Sequence, residues 1–295
     1  MKTTKFLMIA SFLLTSVLVF GQQASDSFFD ENGEIASNLP TSGPKEDLKP
    51  IEFLNPRADD IFWQRVVYRM IDLREKINFP LYFPEESADG RQSLFTLLFN
   101  LMREGKIYGY EYIDGKEIFN EDTKLTFDEE MLQKMGVSLY SSEVDEVTNE
   151  TVFKVDESDI PNREIMKFYM KEVWYFDKHT SVFNVKTLAI CPILYRDRSA
   201  EGMGIERQAL FWIPFDLLRP HLSQTEVMIS EKNNGMRLSF DDLFIKRRYG
   251  SYVYKFTNVY NRNILEYCIT AEEVHREQDA LKTELMNFEE DLWEY

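Results

Sequence analysis

Residues 167–195 read KFYMKEVWYFDKHTSVFNVKTLAICPILY. Two runs dense in Phe, Tyr, Val and Trp flank Asp177-Lys178-His179-Thr180. Aromatic and β-branched residues fit a pleated surface, and a short polar break between two such runs reads as a turn. The stretch therefore predicts a β-hairpin closed by a four-residue turn. Val182 to Ile190 alternates only loosely, which predicts a strand buried on more than one side. Downstream, Leu210-Phe211-Trp212-Ile213 predicts a third strand, ended by Pro214, with a short helix around Asp216 to Leu222.

Upstream, Asn55-Pro56 reads as an N-cap followed by proline at the first helical position. Phe62, Val66, Met70, Leu73 and Ile77 recur at spacings of 4, 4, 3 and 4, so a helix is expected from Pro56 until Pro80 and Pro84 end it. A second helix is expected from about Gln92 to Glu104, with Gly105 as its stop. Leu94, Phe95, Leu97, Leu98, Phe99, Leu101 and Met102 nearly encircle it, so it belongs at the centre of a core. Lys106 to Ile113 predicts a strand ending at Asp114-Gly115. Thr126 and Glu129 suggest a capping box for a short helix ending at Gly136. Residues 138–160 are acidic and polar, a loop or weak strands, and the one candidate internal boundary. A helix over Phe240 to Tyr249 and a strand over Tyr252 to Thr257 follow. In the last helix Thr270 and Glu273 form a capping box, Ile269 and Val274 a hydrophobic staple, and Val274, Leu281, Leu285, Phe288 and Leu292 one stripe. Helices mixed with an antiparallel hairpin give an α+β class: an antiparallel sheet built around the hairpin and flanked by several helices. Asp59 to Arg65 also echoes Asp241 to Arg247 at four of seven positions, and both are expected to open helices.

The N-terminus has the form of a secretory signal. Lys2 and Lys5 precede an apolar run from Phe6 to Phe20, and Val19 and Gly21 suit cleavage between Gly21 and Gln22. No cysteine follows that site, so a lipoprotein anchor has no attachment point, and no second apolar run is long enough to span a membrane. Residues 22–55, rich in Ser, Asn, Gly, Pro and acids, are expected to form an extended or disordered arm, idle or draped over a neighbouring subunit. Residues 56–295 are expected to form a single α+β domain.

The chain has 295 residues, 44 % of them hydrophobic, and a net charge of −17. That balance repels nucleic-acid phosphates and anionic lipid headgroups. Lys246-Arg247-Arg248, the densest basic run, reads as the basic end of a helix. Catalytic signatures are missing. His179, His221 and His275 show no metal-ligand spacing. There is no GxSxG, SxxK or P-loop pattern, and Gly202-Met203-Gly204 lacks the third glycine of a dinucleotide fingerprint. Asp59/Asp60 and Asp241/Asp242 sit where acids stabilise a helix start. An oxidising compartment permits a Cys191–Cys268 disulfide, but two cysteines are not a disulfide framework, and their apolar neighbours favour buried free thiols. No catalytic, cofactor-binding or metal residue is assigned. Aromatic surplus stands in their place: 23 Phe, 15 Tyr and 4 Trp. The C-terminal Leu292, Trp293 and Tyr295 form a candidate partner-docking tip, since aromatics are enriched at interfaces.

Several strings resemble the GldN/PorN family of Bacteroidota. They are Asp60-Ile61-Phe62-Trp63 with Arg65; Ile71 to Asn78 (IDLREKIN) with Pro80-Leu81-Tyr82; Lys171 to Lys178 leading to Ile190-Cys191-Pro192; and Leu210 to Ile213. Further on come Phe240 to Phe244 with Lys246-Arg247, Ser251-Tyr252, Asn258-Val259-Tyr260, and Asp291-Leu292-Trp293. Ile245 departs from the Trp expected by analogy with Trp63. The resemblance implies a periplasmic, non-enzymatic structural subunit of the type IX secretion and gliding machinery. It implies a ring formed with a GldK/PorK-type outer-membrane lipoprotein and contact with a GldM/PorM-type periplasmic protein, without nucleic acid, cofactor or membrane span. A periplasmic hydrolase using scattered carboxylates and a small-ligand-binding module stand as the alternatives.

Overall fold

A computed structural model describes residues 49–53, 56–87, 90–113, 117–145, 151–199, 202, 204–227, 229 and 238–293. The signal segment, the arm up to residue 48, the Asp114-Gly115 turn and Tyr295 lie outside the described residues.

In chain order the strands and longer helices are β1 (Ile61–Asp72), α1 (Leu94–Arg103), β2 (Gly109–Glu111), β3 (Lys124–Leu125), α2 (Glu129–Met135), β4 (Tyr140–Val144), β5 (Thr151–Val155), β6 (Ile165–Asp177), β7 (Val182–Arg198), β8 (Gly204–Ala209), β9 (Phe211–Pro214), α3 (Phe215–Gln224), β10 (Glu226–Val227), β11 (Leu238–Ser239), α4 (Phe240–Ile245), β12 (Tyr252–Phe256) and α5 (Ala271–Trp293). An eight-stranded antiparallel sheet runs in the order β12-β1-β6-β7-β9-β2-β3, with β8 also paired to β7. The class is α+β, as the order of elements predicts.

The expected hairpin is the centre of this sheet, with its loop one residue later than the sequence suggests. β6 ends at Asp177 and β7 begins at Val182, so Lys178–Ser181 make the connection. Asp177 closes it by accepting from the His179 amide and the Thr180 hydroxyl, each at 2.9 Å. β7 runs on through Pro192. A proline inside a central strand lacks a ladder donor. Here it lies beside Leu210, between β8 and β9, where the neighbouring strand is interrupted.

The expected first helix is instead a strand. Ala58–Asp60 make a single 3-10 turn, and Ile61–Asp72 then pair with β6 along nearly their whole length and with β12 at Val67–Met70. The misleading stripe has a simple origin: Phe62, Val66 and Met70 are four apart, and four is a multiple of the strand period as well as close to one helical turn. Phe62 is 72 % exposed and Ile77 57 % exposed, so the stripe is not a buried face. Cross-strand pairing on both edges decides the conformation over local periodicity. The echo between residues 59–65 and 241–247 therefore joins a turn and strand to a helix.

The second helix forms as predicted. Ser93 caps α1 by accepting from the Thr96 amide at 3.1 Å, and Gly105 follows the end at φ +66°. Leu94, Phe95, Leu97, Leu98, Phe99, Leu101 and Met102 are all buried. They meet Ile71, Phe168, Met170, Ile190 and Ile213 of the sheet, together with Leu218 and Leu222 of α3 and Phe240, Leu243 and Phe244 of α4, in the main core. The acidic stretch near 138–160 carries the small β4–β5 sheet, and Val155 and Ile160 join that same core. The cap of α2 is Asp128 rather than Thr126: its carboxylate accepts from the Met131 amide at 2.9 Å, and Gly136 ends the helix at φ +78°.

The opposite sheet face carries Met70, Tyr169, Cys191, Ile193 and Trp212, rimmed by Tyr110, Tyr112, Tyr195, Tyr252 and Tyr254, and among the described residues no helix contributes to that cluster. A β-bulge shapes it. Arg69 pairs with Val253 and Tyr68 with Lys255, leaving Tyr254 as the extra residue. The bulge turns Tyr254 and Lys255, neighbours in sequence, toward the same face. Tyr254 stacks on Tyr169 at 4.6 Å, and the Lys255 ammonium lies 4.8 Å from the Tyr68 ring centre.

α5 has the predicted capping box: Thr270 accepts from the Glu273 amide at 3.2 Å, and Glu273 accepts from the Thr270 amide at 3.1 Å. The expected staple is absent, since Ile269 is 95 % exposed. α5 packs at the hairpin end of the helix-bearing face. Phe288 lies 4.5 Å from Trp63 and 6.3 Å from Phe183, and Arg65 pairs with Glu284 at 2.9 Å.

Candidate interaction surfaces

The residues with chemical potential do not converge. His179 lies in the β6–β7 loop, His221 in α3 and His275 on α5. Among the described residues no group of three His, Cys, Asp or Glu is placed to hold a metal. Both cysteines are free thiols. Cys191 is fully buried, which pushes its thiol far above the usual range. Cys268 is half-buried rather than buried as expected, and partial burial with Glu277 and Glu273 nearby raises its thiol as well. Neither has the depressed pKa of a nucleophile.

The paired carboxylates separate in role. Asp241 lies in the first turn of α4, as expected of it, and in addition, 2 % exposed, binds Arg219 through two contacts of 3.0 and 3.2 Å in a buried ion pair. Arg219 also donates to the Ile51 carbonyl and lies 4.4 Å from the Phe53 ring, which ties the chain just before β1 to α3. Asp242 completes a capping box at the start of α4: Ser239 is the cap, its hydroxyl accepting from the Asp242 amide at 3.1 Å, and Asp242 accepts in return from the Ser239 amide. Arg247 is not simply the basic end of that helix. It takes φ +50° after the helix stops and reaches Glu172 on β6 at 3.0 Å. Glu172 also accepts from the Trp174 indole at 3.0 Å and the Tyr249 hydroxyl at 3.4 Å.

The helix-free sheet face holds a second network. Glu117 accepts from the Tyr68 hydroxyl at 2.7 Å and lies 3.7 Å from Lys171 and 3.5 Å from Lys255. Burial lowers the Lys171 ammonium, working against the attraction of Glu117. Burial raises the hydroxyls of Tyr68, Tyr169 and Tyr254. Two ammonium groups on this face thus share the single carboxylate of Glu117.

Two cavities stand out, and neither gathers a set of reactive groups. One of about 60 Å³ is lined by Leu125, Met131, Met135, Leu210 and Phe211 together with Asp128, Glu130 and Lys134, of which Asp128 is engaged as the cap of α2 and Glu130 pairs with Lys134 at 3.1 Å. The other, about 270 Å³, is a groove between β1 and α5 lined by Trp63, Gln64, Arg65, Glu284 and Phe288. Its charged groups are already paired with each other.

Exposed apolar residues are scattered, Phe62, Leu139 and Ile205 among them, but the two most exposed of those described lie between β12 and α5. Val259 is 97 % exposed, Tyr260 76 %, Leu265 55 % and Ile269 95 %. In the sequence, Asn258-Val259-Tyr260 stands out only as one of the family-like strings and Ile269 only as half of an expected staple, and neither reading implies exposure. Of the C-terminal tip named from sequence, Leu292 and Trp293 belong to the backbone of α5, which ends at Trp293. Their side chains, and Tyr295 entirely, lie outside the described residues. No helix among the described residues is long and apolar enough to cross a membrane.

A family model described as gliding motility associated protein GldN matches residues 56–294. No curated protein matches the chain.

Proposed function

Because this chain belongs to the GldN family, and so to the gliding motility and type IX secretion machinery, we propose that it acts there as a non-enzymatic structural subunit in the periplasm. In this reading it forms a ring with a GldK/PorK-type outer-membrane lipoprotein and contacts a GldM/PorM-type periplasmic protein, and it supports export of proteins across the outer membrane. One observation supports the reading above the others. Buried ionisable side chains on the sheet and on the helices against it are engaged with each other, as in Glu172–Arg247, Asp241–Arg219 and Glu117–Lys171, while apolar side chains stand exposed on the segment after β12. An enzyme needs reactive groups converging on a cavity; an assembly subunit needs rigid elements and apolar contact surface.

The test is the mass of the native complex after gentle solubilisation of the envelope. Co-migration with the lipoprotein in a large assembly is expected. A species of the chain's own mass would overturn the proposal.

A further inference from the structure

We propose that the segment 258–269 is a docking site for a partner protein that presents an apolar cleft rimmed by Lys and Arg. The inference rests on the structural-subunit reading and names the surface through which it operates.

The segment is apolar at its tip yet built to hold still. Asn258 donates to the Phe256 carbonyl at 3.2 Å and the Arg262 carbonyl at 2.7 Å, and it accepts from the Arg262 amide at 3.0 Å. Asn261 sits at φ +52°, a conformation asparagine tolerates well. Lys255 pairs with Asn263 in an isolated bridge, and Ile264 is buried as an anchor. The Tyr267 hydroxyl donates to Glu277 of α5 at 3.1 Å, and Cys268 bonds back to the Ile264 carbonyl at 3.0 Å. Val259, Tyr260, Leu265 and Ile269 are thus displayed from a backbone that is already ordered. Contacts made by preorganised groups lose little to ordering entropy on binding.

Charge identifies the occupant. Glu266 lies within the segment, and Glu272, Glu273, Glu277 and Asp279 follow at the start of α5, against Arg262 and Arg276. A second copy of this chain, with net charge −17, is repelled by such a surface, and so is an anionic bilayer. An apolar cleft with basic edges is attracted to it and can bury Val259 and Ile269.

The test uses the full mature chain and a detergent-solubilised GldK/PorK-type lipoprotein from the same source, with binding measured by interferometry. Val259→Asp/Ile269→Asp is the principal variant, since substitutions at fully exposed positions leave folding intact. Glu266→Gln/Glu272→Gln is the second, to read the charge contribution. The expected result is binding by the wild type, at least tenfold weaker binding by the Asp pair at unchanged unfolding temperature, and a shallower salt dependence for the Gln pair. Equal binding by wild type and the Asp pair overturns the docking site and leaves the subunit reading standing. Absence of wild-type binding defeats the subunit reading and this inference with it. Flotation of the wild type, but not the Asp pair, with phosphatidylethanolamine–phosphatidylglycerol vesicles would assign the segment to lipid and overturn the proposal.

Discussion

Arg247 places its guanidinium 3.0 Å from the carboxylate of Glu172, whose side chain has no exposed surface. The two residues come from the turn after α4 and from the middle of β6, so the pair fastens the helical layer to the sheet. Burial lowers the basicity of the Arg247 guanidinium, but Tyr249 and Glu172 outweigh it, leaving Arg247 more firmly protonated than a free arginine. Removing one partner of a buried pair strands the other charge, a loss of about 3–5 kcal/mol in fully buried cases. Arg247 keeps part of its side chain in solvent, so Arg247→Ala is expected to cost about 2–3 kcal/mol. Chemical denaturation of the purified chain measures this, and a loss below about 0.5 kcal/mol would remove the pair from the list of structural fasteners.

Asp72 predicts acid sensitivity. Hydrogen bonds from Arg74, with Lys167 nearby, lower its carboxyl from 3.8 to about 2 despite partial burial. A folded-state value below the unfolded one adds stability above the unfolded pKa and loses it as pH falls through the folded one. The contribution is therefore complete above about pH 4 and disappears toward pH 2. Arg74 is largely exposed, which limits the gain to about 1–2 kcal/mol. Asp72→Asn should lower stability at pH 7 and flatten the fall between pH 4 and 2 in an acid titration. An unchanged slope would show that other carboxylates control acid unfolding.

The hold on α5 can be tested separately. Phe288 rests on Trp63 and Phe183, and its loss removes the principal aromatic contact between helix and sheet. Phe288→Ala is expected to cost about 1–2 kcal/mol, less than a fully buried phenylalanine. Hydrogen exchange should then quicken across residues 271–293 while β6 and β7 stay protected. Uniform loss of protection would mean that helix and sheet open as one unit.

Truncation after Glu290 removes Leu292, Trp293 and Tyr295 while retaining Phe288 and Glu284. If the C-terminal tip docks a partner, the shortened chain folds normally and the assembly in native envelopes loses mass. Intact assembly would end the case for the tip, without bearing on Val259 and Ile269.

Legibility in the sequence followed the type of signal. The hairpin, α1 and the Thr270–Glu273 cap could be read because each rests on local composition or on a motif closed within a few residues. β1 could not, because Phe62, Val66 and Met70 satisfy two periods and the deciding partners, β6 and β12, lie far along the chain. β8 escaped notice because Gly204-Ile205-Glu206-Arg207-Gln208-Ala209 has little β composition and becomes a strand by pairing with β7. The positions of Arg247 and Asp241 suggest helix-end charges, and Asp241 does lie in the first turn of α4; their ion-pair partners, Glu172 and Arg219, are distant in sequence and so invisible to local reading. The exposed segment could not be inferred from residue type, since Val and Ile are ordinarily buried and exposure depends on the whole fold.

The pairing of β6 with β7, from Ile165–Leu194 to Asp177–Val182, has a mechanical consequence. Force drawn along these strands in opposite directions loads their cross-links together, so that many must fail at once. Force that prises the strands apart from one end breaks the links in succession. The same hairpin is thus stiff to tension along its length and weak to peeling. A subunit built on it withstands pulling best when its neighbours grip opposite ends of the central strands.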